Sequence, residues 1–236
     1  MSNSYFRFKQ FLIQQDRCAM KVGTDGVLLG AWVKIEGAKS ILDIGTGSGL
    51  IALMLAQRSD SVIHGIEIEK NAAQQANENA AKSPWRNRIS IFNQSLQDFR
   101  STTNRYDLIV SNPPYFERSM LAPDQNRSVA RHNHFLTQQE LLDGVKKLLR
   151  PHGRLALILP FEGYRGFREL ALSSGFFEIR NMSVKPTPEK PANRVLGEFA
   201  DIPGRTDPSE IVIEKYGRHG YSEEYIDLTK YFYLKF

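Results

Sequence analysis

The run Ser40-Ile41-Leu42-Asp43-Ile44 passes directly into Gly45-Thr46-Gly47-Ser48-Gly49, and a helix-forming stretch continues to Arg58. A short β-branched run, a glycine turn and a helix make a strand–turn–helix unit. The rest of the chain repeats that alternation. Strands are expected at Val62–Ile66, Ile89–Phe92, Tyr106–Ser111, Arg154–Leu159, Phe176–Val184 and Glu210–Tyr216. Helices are expected at Lys70–Lys82, stopped by Ser83-Pro84, and at Thr137–Leu149, stopped by Pro151-His152-Gly153. Two more fall at Glu162–Ser174, ending on Gly175, and at Ser222–Tyr233. The pattern predicts an α/β fold with a seven-stranded, mostly parallel sheet sandwiched by helices. The segment Lys185 to Ser209 carries five prolines and is expected to be an exposed, mobile loop. No repeat or low-complexity tract divides residues 1–236, which read as a single domain.

In open parallel sheets, ligands bind at the carboxyl ends of the strands. Asp43-Ile44-Gly45-Thr46-Gly47-Ser48-Gly49 is such an end, and its glycines let the backbone approach a ligand closely. The spacing is G-x-G-x-G with Leu50 next, which fails the G-x-G-x-x-G of pyrophosphate-binding folds and the Gly-Lys-Ser/Thr of phosphate loops. Asp43 would repel a pyrophosphate. It would attract the cationic sulfonium and amino group of S-adenosylmethionine. Glu67, closing the second strand, can accept both hydroxyls of a ribose. Asp98, after the third strand, is placed to accept from an adenine amino group, with Leu96 and Phe99 as walls for the ring.

The fourth strand ends in Asn112-Pro113-Pro114-Tyr115. Two prolines fix two φ angles and remove two N–H donors, leaving stiff backbone with carbonyls to spare. The Asn112 amide oxygen and the Pro113 carbonyl can each accept one N–H of a planar amino group, while Tyr115 covers its π-face. The set suits a base extruded from its stack.

Charge agrees with a nucleic-acid partner. The net charge is +5 and the pI near 9.3. Arg7, Lys9, Arg17 and Lys21 stand against Asp16 alone in residues 1–22, and Arg118, Arg127 and Arg131 against Asp124 alone in residues 118–134, beside His132 and His134. Both stretches flank the candidate site in sequence and predict a polyanion-binding face, with Arg127 and Arg131 approaching phosphates and His132 beside them. No apolar run approaches the roughly 20 residues of a membrane span. Phe11-Leu12-Ile13 is too short for a signal peptide. A lone cysteine, Cys18, excludes an internal disulfide, is expected to pack, and fits a reducing cytoplasm. The histidines lack cysteine or carboxylate partners at metal-site spacing, so no metal is expected. Without a coiled-coil pattern, the chain is expected to be a monomer.

Together these segments resemble the class I S-adenosylmethionine-dependent methyltransferases, and the Asn-Pro-Pro-Tyr tetrapeptide is similar to their amino-group-methylating branch. Lys21-Val22-Gly23-Thr24-Asp25-Gly26-Val27-Leu28-Leu29-Gly30-Ala31-Trp32 and Ala130-Arg131-His132 resemble the bacterial tRNA1(Val) adenine-N6 methyltransferases over essentially the whole chain. The resemblance implies methylation of adenine 37, next to the anticodon, and a Rossmann-like sheet with one antiparallel strand, which the last two strands could supply. It implies that Asp43, Gly45 and Gly47 line the methionine and ribose part of the cofactor, that Glu67 holds the ribose hydroxyls and Asp98 the adenine. Residues 1–35 become a capping segment whose Lys21, Thr24 and Asp25 close over the methionine end, ahead of a core at 36–236. Asn112, Pro113 and Tyr115 would hold the target adenine, with Phe116 stacking beside Tyr115. Similar strand ends serve rRNA guanine-N2, DNA adenine-N6 and release-factor glutamine methyltransferases, the last on longer chains. A non-catalytic RNA-binding version of the fold would be expected to lose Asp43, Glu67 or Asn112, and all three are present.

Overall fold

The computed structural model describes residues 3–100, 105–113 and 136–236. The chain opens with a small antiparallel hairpin, β1 (Tyr5–Arg7) and β2 (Leu12–Gln14), followed by helix α1 (Thr24–Trp32). Strand–helix alternation then begins with β3 (Ser40–Ile44), α2 (Leu50–Arg58), β4 (Val62–Glu67), α3 (Lys70–Ala81), β5 (Ile89–Asn93) and β6 (Tyr106–Ser111). It continues through α4 (Gln138–Leu148), β7 (Leu149–Pro160), α5 (Phe161–Ser173), β8 (Phe177–Lys185), β9 (Arg194–Ala200), β10 (Asp207–Val212) and α6 (Glu223–Thr229). Eight strands form one sheet in the order β10-β8-β9-β7-β6-β3-β4-β5.

Period-two alternation decides which residue faces which layer. Ile41, Ile63, Leu108, Val110, Ala156 and Ile158 pack with α1 and α2 on one face. Leu42, Ile44, Ile109, Leu155, Leu157 and Leu159 pack with α4 and α5 on the other. Burial on both faces explains the continuous apolar reading of β3 and β6. Helix α4 starts at a capping box: Thr137 Oγ accepts from the Glu140 N–H at 3.2 Å, and Glu140 accepts from the Thr137 N–H at 2.8 Å. Among the described residues, no helix is long and apolar enough to cross a membrane.

Two expectations need correction. The sheet has eight strands rather than seven, because Arg194–Ala200, expected to lie in a mobile loop over 185–209, forms β9 in the middle of the sheet. Pro186, Pro188, Pro191, Pro203 and Pro208 bracket that strand without entering it. The antiparallel strand is β9, running against both β7 and β8, whereas the last strand, β10, is parallel to β8. The leading segment also packs into the core. Phe8, Phe11 and Ile13 enter the same core as α1, whose residues Gly26 to Trp32 are all buried.

Glu198 makes β9 hard to read as a buried strand, and its partners explain why it is tolerated. Its carboxylate, 1% exposed, accepts from Arg154 Nη1 at 2.8 Å and Arg180 Nε at 3.0 Å. The Arg180 guanidinium in turn lies 3.7 Å from the ring centroid of Trp32. A buried charge is tolerable when paired and hydrogen-bonded in this way.

Candidate active site

Strand β3 lies where the connections change direction, with β4 and β5 to one side and β6 and β7 to the other. A crevice opens above the carboxyl ends at such a point. The Ser111 hydroxyl donates to the Ile44 carbonyl at 2.9 Å and ties the end of β6 to the end of β3. Beyond Ile44, the Gly45 and Thr46 N–H groups both donate to the Ile66 carbonyl, at 2.9 and 3.1 Å, so the glycine loop is anchored on β4. Gly45 and Gly47 take φ values of +71° and +56°, which L side chains rarely adopt. A Cβ at either position would meet no atom within 4 Å. The loop therefore offers bare backbone to open space.

That space is a cleft of about 390 Å³. Lys21, Thr24 and Asp25, the loop residues Gly45 to Ser48, and Asn112, Asn193 and Arg194 all line it. Six residues singled out in the sequence (Lys21, Thr24, Asp25, Gly45, Gly47 and Asn112) thus meet in one place. Pro113 follows Asn112 at the strand end, half-buried. Lys21 Nζ donates to the Asn3 carbonyl at 3.3 Å. Arg194 Nε lies 3.0 Å from Asp25 Oδ2, so an ion pair joins α1 to β9 at the cleft.

Asp43 sits beneath the cradle, fully buried. Its Oδ2 accepts from the Thr46 hydroxyl at 2.6 Å and from the Ala52 N–H at 3.2 Å. Its Oδ1 has no hydrogen-bond partner among the described residues. Burial pushes the carboxyl up to about 7, with the nearby negative charge of Glu67 adding to the rise and the two donors opposing it. An under-satisfied buried carboxylate below an open glycine cradle fits a cationic ligand, and S-adenosylmethionine is one.

Other sequence-predicted residues stand apart from that lining. Glu67 closes β4 and reaches the loop from the side, accepting from the Gly47 N–H at 3.0 Å and the Glu69 N–H at 2.9 Å. Asp98 accepts from the Ser95 hydroxyl at 2.7 Å, while its own N–H donates back to Ser95 Oγ, a local turn lock. Leu96 and Phe99 do not offer free walls for a ring: they are 7% and 3% exposed, packed into the core with α4. Tyr115, Phe116, Arg127, Arg131 and His132 lie outside the described residues. Cys18 is buried, donates to Gln75 Oε1 at 3.2 Å and has its thiol raised to about 11 by burial, which suits packing rather than nucleophilic chemistry. Among the described residues no group of three or more His, Cys, Asp or Glu could hold a metal ion. Sequence reading missed Asn193 and Arg194, whose one signal was the apolar run Val195-Leu196 directly after them.

The fold and the cradle define a class I methyltransferase. Residues 35–166 match the family model described as a methyltransferase domain. A predicted O-methyltransferase from Agrobacterium tumefaciens superposes with a TM-score of 0.68, at 18% identity over 88% of this chain and 96% of that one. Pyrococcus horikoshii TYW2, solved with MeSAdo, gives 0.56 at 14% identity over 80% and 66% of the two chains. Sequence relatives are much nearer. The tRNA1(Val) (adenine(37)-N6)-methyltransferase of Parabacteroides distasonis is 48% identical over the whole of both chains, as is that of Trichodesmium erythraeum. The Aeromonas salmonicida enzyme of the same name is 46% identical over 99% of this chain and 98% of its own. The chain belongs to the tRNA1(Val) (adenine(37)-N6)-methyltransferase family.

Proposed function

We propose that this protein methylates the exocyclic N6 of adenine 37, beside the anticodon of tRNA1(Val), using S-adenosylmethionine. The observation that carries the reading is the meeting of Asn112 with the glycine cradle in one cleft. Relatives named for that reaction and matching over their full length support it. The bound cofactor supplies an electrophilic methyl group. Gly45 and Gly47 receive its methionine and ribose part on bare backbone. A bound sulfonium would draw the buried Asp43 carboxyl into its ionised form, and Glu67 would accept from the ribose hydroxyls. Residues 1–35 cap the cleft, with Lys21, Thr24 and Asp25 at the methionine end. Asp98 is assigned to the cofactor adenine.

The chain's work on the substrate is alignment. The adenine N6 lone pair is delocalised into the ring, so the nitrogen is a poor nucleophile. Acceptance of its two N–H bonds by Asn112 Oδ1 and the Pro113 carbonyl favours a tetrahedral nitrogen whose lone pair points toward the cradle. Both acceptors also stabilise the positive charge that develops there in the transition state. No strong base is needed, because a methylated, protonated N6 is very acidic and its proton leaves through the carbonyl or water. Tyr115, with Phe116, stacks on the extruded base.

Asn112→Ala tests the reading directly. Single-turnover methyl transfer should fall by on the order of 100-fold, the usual cost of one preorganised polar contact to developing charge. Calorimetric affinity for S-adenosylmethionine should stay within about twofold of the parent protein, since only ground-state contacts at the cradle set it. Full turnover in the variant would remove Asn112 from the chemistry.

A further inference from the structure

Strand β7 outruns β6. Ser111, the last residue of β6, pairs with Leu157, and β7 continues through Ile158, Leu159 and Pro160. Phe161 comes next, at the first position of α5, beyond the level in the sheet at which β6 ends and Asn112 follows. Its N–H donates to the Asn193 carbonyl at 3.1 Å, and Asn193 lines the cleft. The Phe161 side chain is nevertheless 51% exposed. The next apolar residues of the same helix, Tyr164, Phe167 and Ala171, are buried in the core. The core is therefore closed without this ring.

One helical turn further on, Arg165 shares the face of Phe161. Its guanidinium is 84% exposed and lies 3.0 Å from Glu169, itself 63% exposed. So open a pair is weak and exchanges readily for another anion. A ring and a guanidinium one turn apart match a single nucleotide: the base stacks on the ring and the phosphate takes the cation. Extruding a target base also leaves its neighbour with an uncovered face.

We infer that Phe161 is the stacking platform for a nucleotide flanking the target adenine, with Arg165 on that nucleotide's phosphate. The inference rests on the RNA-methylating reading above and assigns its substrate a path over the end of β7. Full-length protein is titrated into an unmodified tRNA1(Val) transcript, with cofactor affinity and melting temperature recorded for each variant. Phe161→Ala and Phe161→Leu should each raise the tRNA Kd by about 10-fold, since stacking needs a π-face and not merely apolar volume. Phe161→Trp should keep parent affinity. Arg165→Ala should weaken binding and flatten its salt dependence. Cofactor affinity and melting temperature should not move in any of them. Parent-like tRNA binding by Phe161→Leu, or loss of binding in Phe161→Trp with an unchanged melting temperature, overturns the platform while leaving the proposed reaction intact. Failure of the unsubstituted protein to bind the transcript overturns the reaction assignment and the platform with it.

Discussion

Asp43 carries a consequence that can be read without any substrate. Its carboxyl is raised to about 7 from an ordinary value of 3.8, chiefly by burial. The folded protein therefore favours the protonated form. That contribution to stability is fully present below the unfolded value and is lost as pH rises through the folded one, a window from about 4 to about 7. In urea unfolding of ligand-free protein, the parent should lose about 2–3 kcal/mol relative to Asp43→Asn between pH 5 and pH 8. Parallel stabilities across that interval would show that Asp43 is ionised at little cost. The residues of the site divide by how far apart in sequence their partners lie. The glycine cradle and Asn112 were legible, because each is written in one contiguous motif whose chemistry follows from neighbouring residue types. Arg194 was not, because its partner Asp25 lies 169 positions away and neither residue announces the other. Asp43 was legible as an acid at the cradle, but its full burial was not, since burial is set by packing around the loop.

Strand β9 shows the same division among elements. Alternation of strands and helices predicted the parallel half of the sheet closely from β3 to β6, whereas β7 begins at Leu149, five residues before the expected Arg154, and takes in Pro151-His152-Gly153, read in the sequence as a helix stop. Proline density hid β9: five prolines spread over Lys185 to Ser209 argue for a loop when counted together, yet none lies in Arg194–Ala200. The buried Glu198 added a misleading polar residue, whose cost is met by Arg154 on β7 and Arg180 on β8. Glu198→Ala would leave two half-buried arginines, Arg154 and Arg180, without their counter-ion. It should destabilise the protein by about 3–5 kcal/mol, read as a drop in the urea midpoint at unchanged m. A loss below about 1 kcal/mol would mean that water at the partly exposed guanidinium groups replaces the carboxylate at little cost. The hairpin β1–β2 and α1 were also hidden, the first by strands of only three residues and the second by an apolar surface on all sides.

The whole molecule is a basic protein, net charge +5, whose candidate cleft collects strand ends from both halves of the sheet. Binding to tRNA should be dominated by phosphate contacts, so the logarithm of the association constant should fall linearly with the logarithm of salt concentration. A flat response between low and moderate salt would point to recognition by base contacts alone. Selection of one tRNA should depend on the folded anticodon arm, because RNA is read mostly by shape and by splayed single-stranded bases. The most direct test of the account combines these scales. Methyl-tritiated S-adenosylmethionine is supplied with the protein and with unmodified tRNA, rRNA and duplex DNA, and the labelled nucleoside is identified after digestion. The account predicts label only in tRNA1(Val), as N6-methyladenosine at position 37. Label in rRNA guanine, in DNA adenine or in protein would keep the cofactor cradle and contradict the assigned substrate.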